Sequence, residues 1–190
     1  MDSPPVRRCH RGNRNALLLA ITSVGQGWDM KTLLLVRHAK SSRDDPSLAD
    51  RERPPDERGR ADAPRMGKRL ARRHGKPDLV LSSPALRALT TAQLIADEVG
   101  YKRKEIVVDD RLYASSADEL LAVVRALDRK IDRAMLCGHN PELTDLAHRL
   151  SHEITDLPTC AVAAFHFDTK TWPSLGEVAP VEVVVDTPKS

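Results

Sequence analysis

From residue 30 onward, apolar positions fall alternately into short unbroken runs and helical stripes. "LLLV" at 33–36 has no polar alternation, which fits a strand covered on both faces and predicts β-structure over 32–36. A polar loop follows, "SSRDDPSLADRERPP". "DERGRADAPRMGKRLARRHG" then shows helical spacing, with Gly75 placed as a C-terminal cap and Pro64 marking a start or a kink. Residues 78–81 read as a second strand. In "SSPALRALTTAQLIADEVG" Ser83 fits an N-cap, Pro84 the first helical position and Gly100 the end. A third strand is expected at 106–108, a helix at 117–127 and a fourth strand at 134–137. "NPELTDLAHRL" reads as a helix capped by Asn140 with Pro141 next, and late strands are expected at 161–167 and 181–185. Strands alternating with helices predict an α/β three-layer sandwich, its mostly parallel central sheet flanked by helices.

The first 29 residues read differently. They begin with a basic stretch and continue with an apolar one from Ala16 to Val24, too short to span a membrane. Three readings fit: a start codon placed upstream of Met30, a disordered leader, or an export signal whose Ser23-Val24-Gly25 is a poor cleavage site. The organisation expected is a leader at 1–29 and a single domain at 30–187.

Composition narrows the function. Net charge is +3 over 190 residues, but the leader holds Arg7, Arg8, Arg11 and Arg14 against Asp2 and Asp29, which leaves +1 for the other 161 residues. No basic face for nucleic acid is indicated, and 3% aromatics argue against a base-stacking platform. Cys9, Cys137 and Cys160 lack CxxC spacing, against a disulfide framework or structural zinc. Reduced thiols fit the cytoplasm, and Cys137 in "AMLCG" reads as a small buried hydrophobe.

The chemistry converges at strand ends. Arg37 and His38 follow the first strand, Arg87 lies in the first turn of the helix after the second, and His139 follows the strand "AMLCG". Ligands of open α/β sheets bind outside the carboxyl ends of the strands, so all four residues should face one crevice. Arg87 opposes the helix dipole, at a cost on the order of a few tenths of a kcal/mol, unless an anion sits between it and the helix N-terminus. The alternative for Arg87 is an ion pair with Asp78 or Asp110, since Asp97 and Glu98 lie too far along the same helix. No Gly-rich phosphate loop is present, so a phosphate would be gripped by side chains. The remaining histidines read as incidental: His148 and His152 on a helix surface, His74 near a helix end, His166 facing away from Phe165 and Phe167, and His10 in the leader.

The blocks "LLLVRHAKSS", "RPPDERGRADA", "LSSPALRALTTA" and "MLCGHNPEL" together resemble the histidine phosphatase superfamily, with its phosphoglycerate mutase-like fold. They are most similar to its short SixA-type phosphohistidine phosphatases. The resemblance runs in order over residues 31–167, with Pro55 where that family usually has Leu. It implies His38 as the nucleophile that takes the phosphoryl group, and Arg37, Arg87 and His139 as groups binding its oxygens and transition-state charge, without a metal or other cofactor. Neighbouring cations should lower the His38 pKa. Lys40, Ser41, Arg43 and Asn140 are weaker substrate-binding candidates. Many superfamily members carry an acid in an RLxE-like stretch; here "RLYA" puts Ala114 in its place. Asp118 and Glu119, just beyond, fit a helix start or, alternatively, a general acid. Lack of that acid favours a P–N substrate, so the expected partner is a protein phosphohistidine. A small-molecule phosphomonoesterase and a weakly catalytic phosphate-binding module are the alternatives.

Overall fold

The computed structural model describes residues 30–189; the leader lies outside them. The order is β1 (Met30–Arg37), α1 (Glu57–His74), β2 (Leu79–Ser82), α2 (Leu86–Glu98), β3 (Val107–Val108), α3 (Ala117–Arg125), β4 (Arg133–Gly138), α4 (Glu142–Ser151), β5 (Val162–Asp168) and β6 (Glu182–Asp186). The sheet runs β3-β2-β4-β1-β5-β6. Its first four strands are parallel; β5 and β6 add an antiparallel edge.

The continuous apolar run of β1 serves two cores. Leu33 and Leu35 face α3 and α4, beside Leu120, Leu143, Phe165 and Trp172. Leu34 and Val36 face α1 and α2, beside Met66, Leu70, Ala92 and Ile95. Each fully buried Leu or Val stabilises the fold by about 1.5–3 kcal/mol. Truncating one of them, such as Leu35→Ala, costs about 2–5 kcal/mol through the cavity left behind.

Register brings the site together. Arg37 pairs across with Gly138, and Ser82 with Cys137, so β1, β2 and β4 end level. His38, Ser83 and His139 therefore leave the sheet along one edge. Their turns are tied to one another: the His38 amide donates to the Gly138 carbonyl (2.9 Å) and the Ser83 amide to the Cys137 carbonyl (2.9 Å).

Three helix starts differ from the sequence reading. α1 begins at Glu57, where Asp56 accepts from the Gly59 amide at 2.7 Å, so Pro64 lies inside the helix. α2 begins at Leu86 without a side-chain cap, and the Ser83 hydroxyl lies against His139 instead. α4 begins at Glu142, and Asn140 does not cap it; its amide donates to the Leu157 carbonyl at 3.0 Å. Among the described residues no helix is long and apolar enough to cross a membrane.

Candidate active site

His38 is held by its own backbone turn. Its Nδ1 lies 2.7 Å from the Ala39 carbonyl oxygen. A carbonyl can only accept, so Nδ1 carries the proton and Nε2 keeps its lone pair. Arg87 Nε donates to that Nε2 across 3.3 Å. Thr91 fixes the two relative to each other: it accepts from the Ala39 amide (2.9 Å) and donates to the Arg87 carbonyl (2.7 Å). This buried hydroxyl ties the end of β1 to the first turns of α2.

His139 lies beside His38, ring centroids 5.0 Å apart, with Tyr113 edge-on to it at 5.5 Å. The Ser83 hydroxyl is 2.7 Å from His139 Nε2 and accepts from the Ala85 amide at 3.3 Å. When Ser83 donates its proton to Nε2, the His139 proton sits on Nδ1. That Nδ1 and the Nε of Arg37 are buried and without a hydrogen-bond partner among the described residues. Arg37 spends its Nη1 on the Leu157 carbonyl at 2.7 Å. Buried donors without acceptors are costly, about 1–3 kcal/mol each, and two at one site suit an anion that supplies the acceptors.

Both imidazoles are neutral at pH 7. Burial, then the Arg87 and Arg37 charges, push His38 down to about 4, against its bond to the Ala39 carbonyl and the Asp50 charge, which raise it. Burial leads again for His139, reinforced by His38, Arg87 and Arg37 and opposed by Asp50, and brings it to about 3. The cations anticipated from the sequence do act on His38, but burial outweighs them. His139 therefore offers an N–H dipole and no full charge.

Arg37, His38, Lys40, Ser41, Arg43 and Arg87 line one cavity of about 630 Å³, together with Ser42, Asp44, Asp50, Arg53, Asp56 and Thr159. Two expected residues are not among its lining: His139, which is buried beside His38, and Asn140, whose amide is turned to Leu157. Arg87 pairs with neither Asp78 nor Asp110 but with Asp50, through the side chain (2.7 Å) and the backbone carbonyl (2.5 Å). Asp118 is paired with Arg149, and Glu119 closes a capping box with Ser116. His148 and His152 are exposed on or next to α4, while His166 bonds Thr32 and stacks on His74, away from its flanking Phe residues. Among the described residues no group of three or more His, Cys, Asp or Glu side chains is placed to hold a metal ion.

The family model for the histidine phosphatase superfamily, branch 1, matches residues 33–119. The fold agrees with it. The solved structure of a putative phosphohistidine phosphatase SixA from Nakamurella multipartitia superposes with a TM-score of 0.72 at 22% identity, covering 85% of this chain and 98% of that one. The putative SixA of Agrobacterium tumefaciens gives 0.69 at 25% identity, over 81% and 97% of the two chains. Over residues 33–119 the chain carries the sequence pattern of the histidine phosphatase superfamily. It is a phosphatase with the SixA-type fold. An uncharacterised chloroplast protein of Arabidopsis thaliana is 29% identical over 150 residues, 75% of this chain and 69% of that protein.

The sequence named the four basic groups but missed Asp50, Arg53, Ser83 as a histidine partner, Thr91 and Tyr113. "RPPDERGRADA" carried a signal for Arg53, and "LSSPALRALTTA" one for Ser83 and Thr91, since these residues stand inside the matching blocks. Nothing in the loop around Asp50 pointed to the site.

Proposed function

We propose that this phosphatase acts on protein phosphohistidine through a phosphoryl intermediate on His38. The observation that carries the reading is the pair of buried nitrogens without hydrogen-bond partners among the described residues, Arg37 Nε and His139 Nδ1, beside a neutral imidazole whose Nε2 lone pair is free of a proton. The Nε2 lone pair forms an N–P bond as the substrate P–N bond breaks. The departing imidazole takes the bonding electron pair and leaves neutral when its other nitrogen already holds a proton. Arg37 and Arg87 stabilise the charge on the equatorial oxygens, and His139 donates one hydrogen bond. Water then attacks phosphorus, breaks the His38 N–P bond and releases orthophosphate and a proton.

The test is to quench the enzyme with labelled phosphohistidine protein. Acid-labile, base-stable label on the wild type and none on His38→Ala is expected. A His38→Ala variant that turns over at the wild-type rate rules out the assignment.

A further inference from the structure

Asp50 occupies Arg87 in the way a phosphoryl group would. Its Oδ2 accepts from Arg87 Nη2 at 2.7 Å and from the Tyr113 hydroxyl at 3.0 Å, and its Oδ1 accepts from Arg53 Nη1 at 2.9 Å. Two guanidiniums and a hydroxyl converging on one anionic group is a donor set suited equally to a phosphate. Arg87 also donates from Nε to His38 Nε2, the atom that must bond to phosphorus. A phosphoryl group arriving at that atom meets Arg87 with its Nη groups already taken.

We propose that Asp50 is a built-in competitor for Arg87, a specificity-determining residue that selects against small phosphates and free orthophosphate. The proposal rests on the function argued above. A small phosphate must displace the carboxylate with its phosphoryl group alone. A phosphoprotein brings further contacts along the cavity, where Lys40 and Arg43 stand at the rim. Displacement is local: the side chain is half exposed, and Arg53, held to Ser41 Oγ and the Ser42 carbonyl, can keep Asp50 Oδ1 while Oδ2 leaves Arg87. The same competition returns Arg87 to Asp50 after hydrolysis and weakens the hold on product.

Calorimetric titration of the full chain with orthophosphate and with tungstate tests this. Asp50→Asn and Asp50→Ala should bind both oxyanions roughly tenfold tighter or more, the worth of a charge-assisted hydrogen bond. Both variants should also gain more in kcat/KM on an aryl phosphate than on a phosphohistidine protein. Asp44→Asn removes another cavity carboxylate that does not touch Arg87, and should tighten binding far less. Unchanged or weaker affinity in the Asp50 variants overturns the proposal. Equal tightening in Asp44→Asn also overturns it, by showing a general charge effect. Arg87→Ala separates this inference from the function beneath it. Loss of oxyanion binding in Arg87→Ala without tightening in Asp50→Asn sinks only the competitor. Absence of oxyanion binding in every form, wild type included, sinks both.

Discussion

Arg87 Nε donates to His38 Nε2 across 3.3 Å, so the guanidinium touches the atom proposed to take the phosphoryl group. The contact joins the first turn of α2 to the end of β1. A planar fork can hold the histidine through Nε and a phosphoryl oxygen through Nη, which a lysine cannot imitate. Arg87→Ala should lose about a hundredfold or more in kcat/KM, and Arg87→Lys should recover only a small part. Steady-state kinetics on a phosphohistidine protein checks it. An Arg87→Lys variant as fast as wild type would show that charge alone matters.

The acid limb of kcat/KM should lie near pH 4, where His38 in the free enzyme gains its proton, and not near the ordinary histidine value of 6.5. The same depression bears on stability. At pH values above 6.5 both folded and unfolded chains carry neutral His38. As pH falls from 6.5 toward 4, only the unfolded chain takes up the proton, so stability is lost across that window. His139, at about 3, extends the loss lower. A pH–rate profile corrected for substrate ionisation is the measurement, paired with melting curves of wild type and His38→Gln, whose decline between pH 6.5 and 4 should be shallower. A break at pH 6.5 would contradict the burial of His38.

Ser83→Ala should fold, yet lose roughly tenfold or more in kcat. A hydroxyl that donates to Nε2 holds the His139 proton on Nδ1; without it, Nε2 can take the proton and Nδ1 becomes an acceptor facing an anion. Ser83→Thr, keeping a hydroxyl, should retain more activity than Ser83→Ala. Nitrogen NMR of His139 would report the tautomer directly, and an unchanged tautomer in Ser83→Ala would remove the argument.

Ser83 also illustrates what the sequence withheld. A serine before a proline at a helix start satisfies every local rule for an N-cap, and so does Asn140 before Pro141. Which acceptor or donor such a side chain finds is decided by a strand far away in sequence, here β4 for Ser83 and the Leu157 segment for Asn140. That Arg37, His38, Arg87 and His139 come together was legible because strand ends of a parallel sheet share one edge whatever the loops do. Asp50 was not, since its loop has no periodicity and its charge reads as solvated. The neutral state of the imidazoles was half legible: the cations are in the sequence, but the larger cause, burial, belongs to the tertiary structure.

Gly59 sits where α1 meets the turn after His38. A Cβ there would lie 2.2 Å from the Lys40 carbonyl oxygen and 3.0 Å from its amide nitrogen, both backbone atoms. Gly59→Ala should therefore push the 39–41 backbone away from α1, destabilise the fold by about 1–3 kcal/mol and lower activity as Ala39 shifts under His38. Urea melts and kinetics on the one variant measure both effects. Full activity with wild-type stability would mean that the helix and turn are free to separate.

Leaving-group dependence decides the substrate class. Ala114, in the left-handed region at φ 53°, stands where many superfamily members carry an acid. Carboxylates nearby are engaged: Glu119 in its capping box, Asp118 with Arg149, Asp44 with Ser42, Asp56 with the Gly59 amide and Lys40, and Asp50 held ionised by hydrogen bonds from Arg87, Tyr113 and Arg53 that outweigh its partial burial. Without a proton donor the rate should follow leaving-group quality steeply, because general acid help is typically worth about a hundredfold or more. Phosphohistidine and phosphoramidate should be fast, aryl phosphate slow, and alkyl phosphate slower still. Asp118→Asn should change none of these rates, and Glu119→Gln, which can keep the capping box, should cost little stability and nothing in the relative rates. If either substitution slows alkyl phosphate hydrolysis strongly while sparing phosphoramidate, that residue swings in as the acid. If the wild type hydrolyses an alkyl phosphate as fast as phosphohistidine, the enzyme is a small-molecule phosphatase, and the missing acid at Ala114 has lost its meaning.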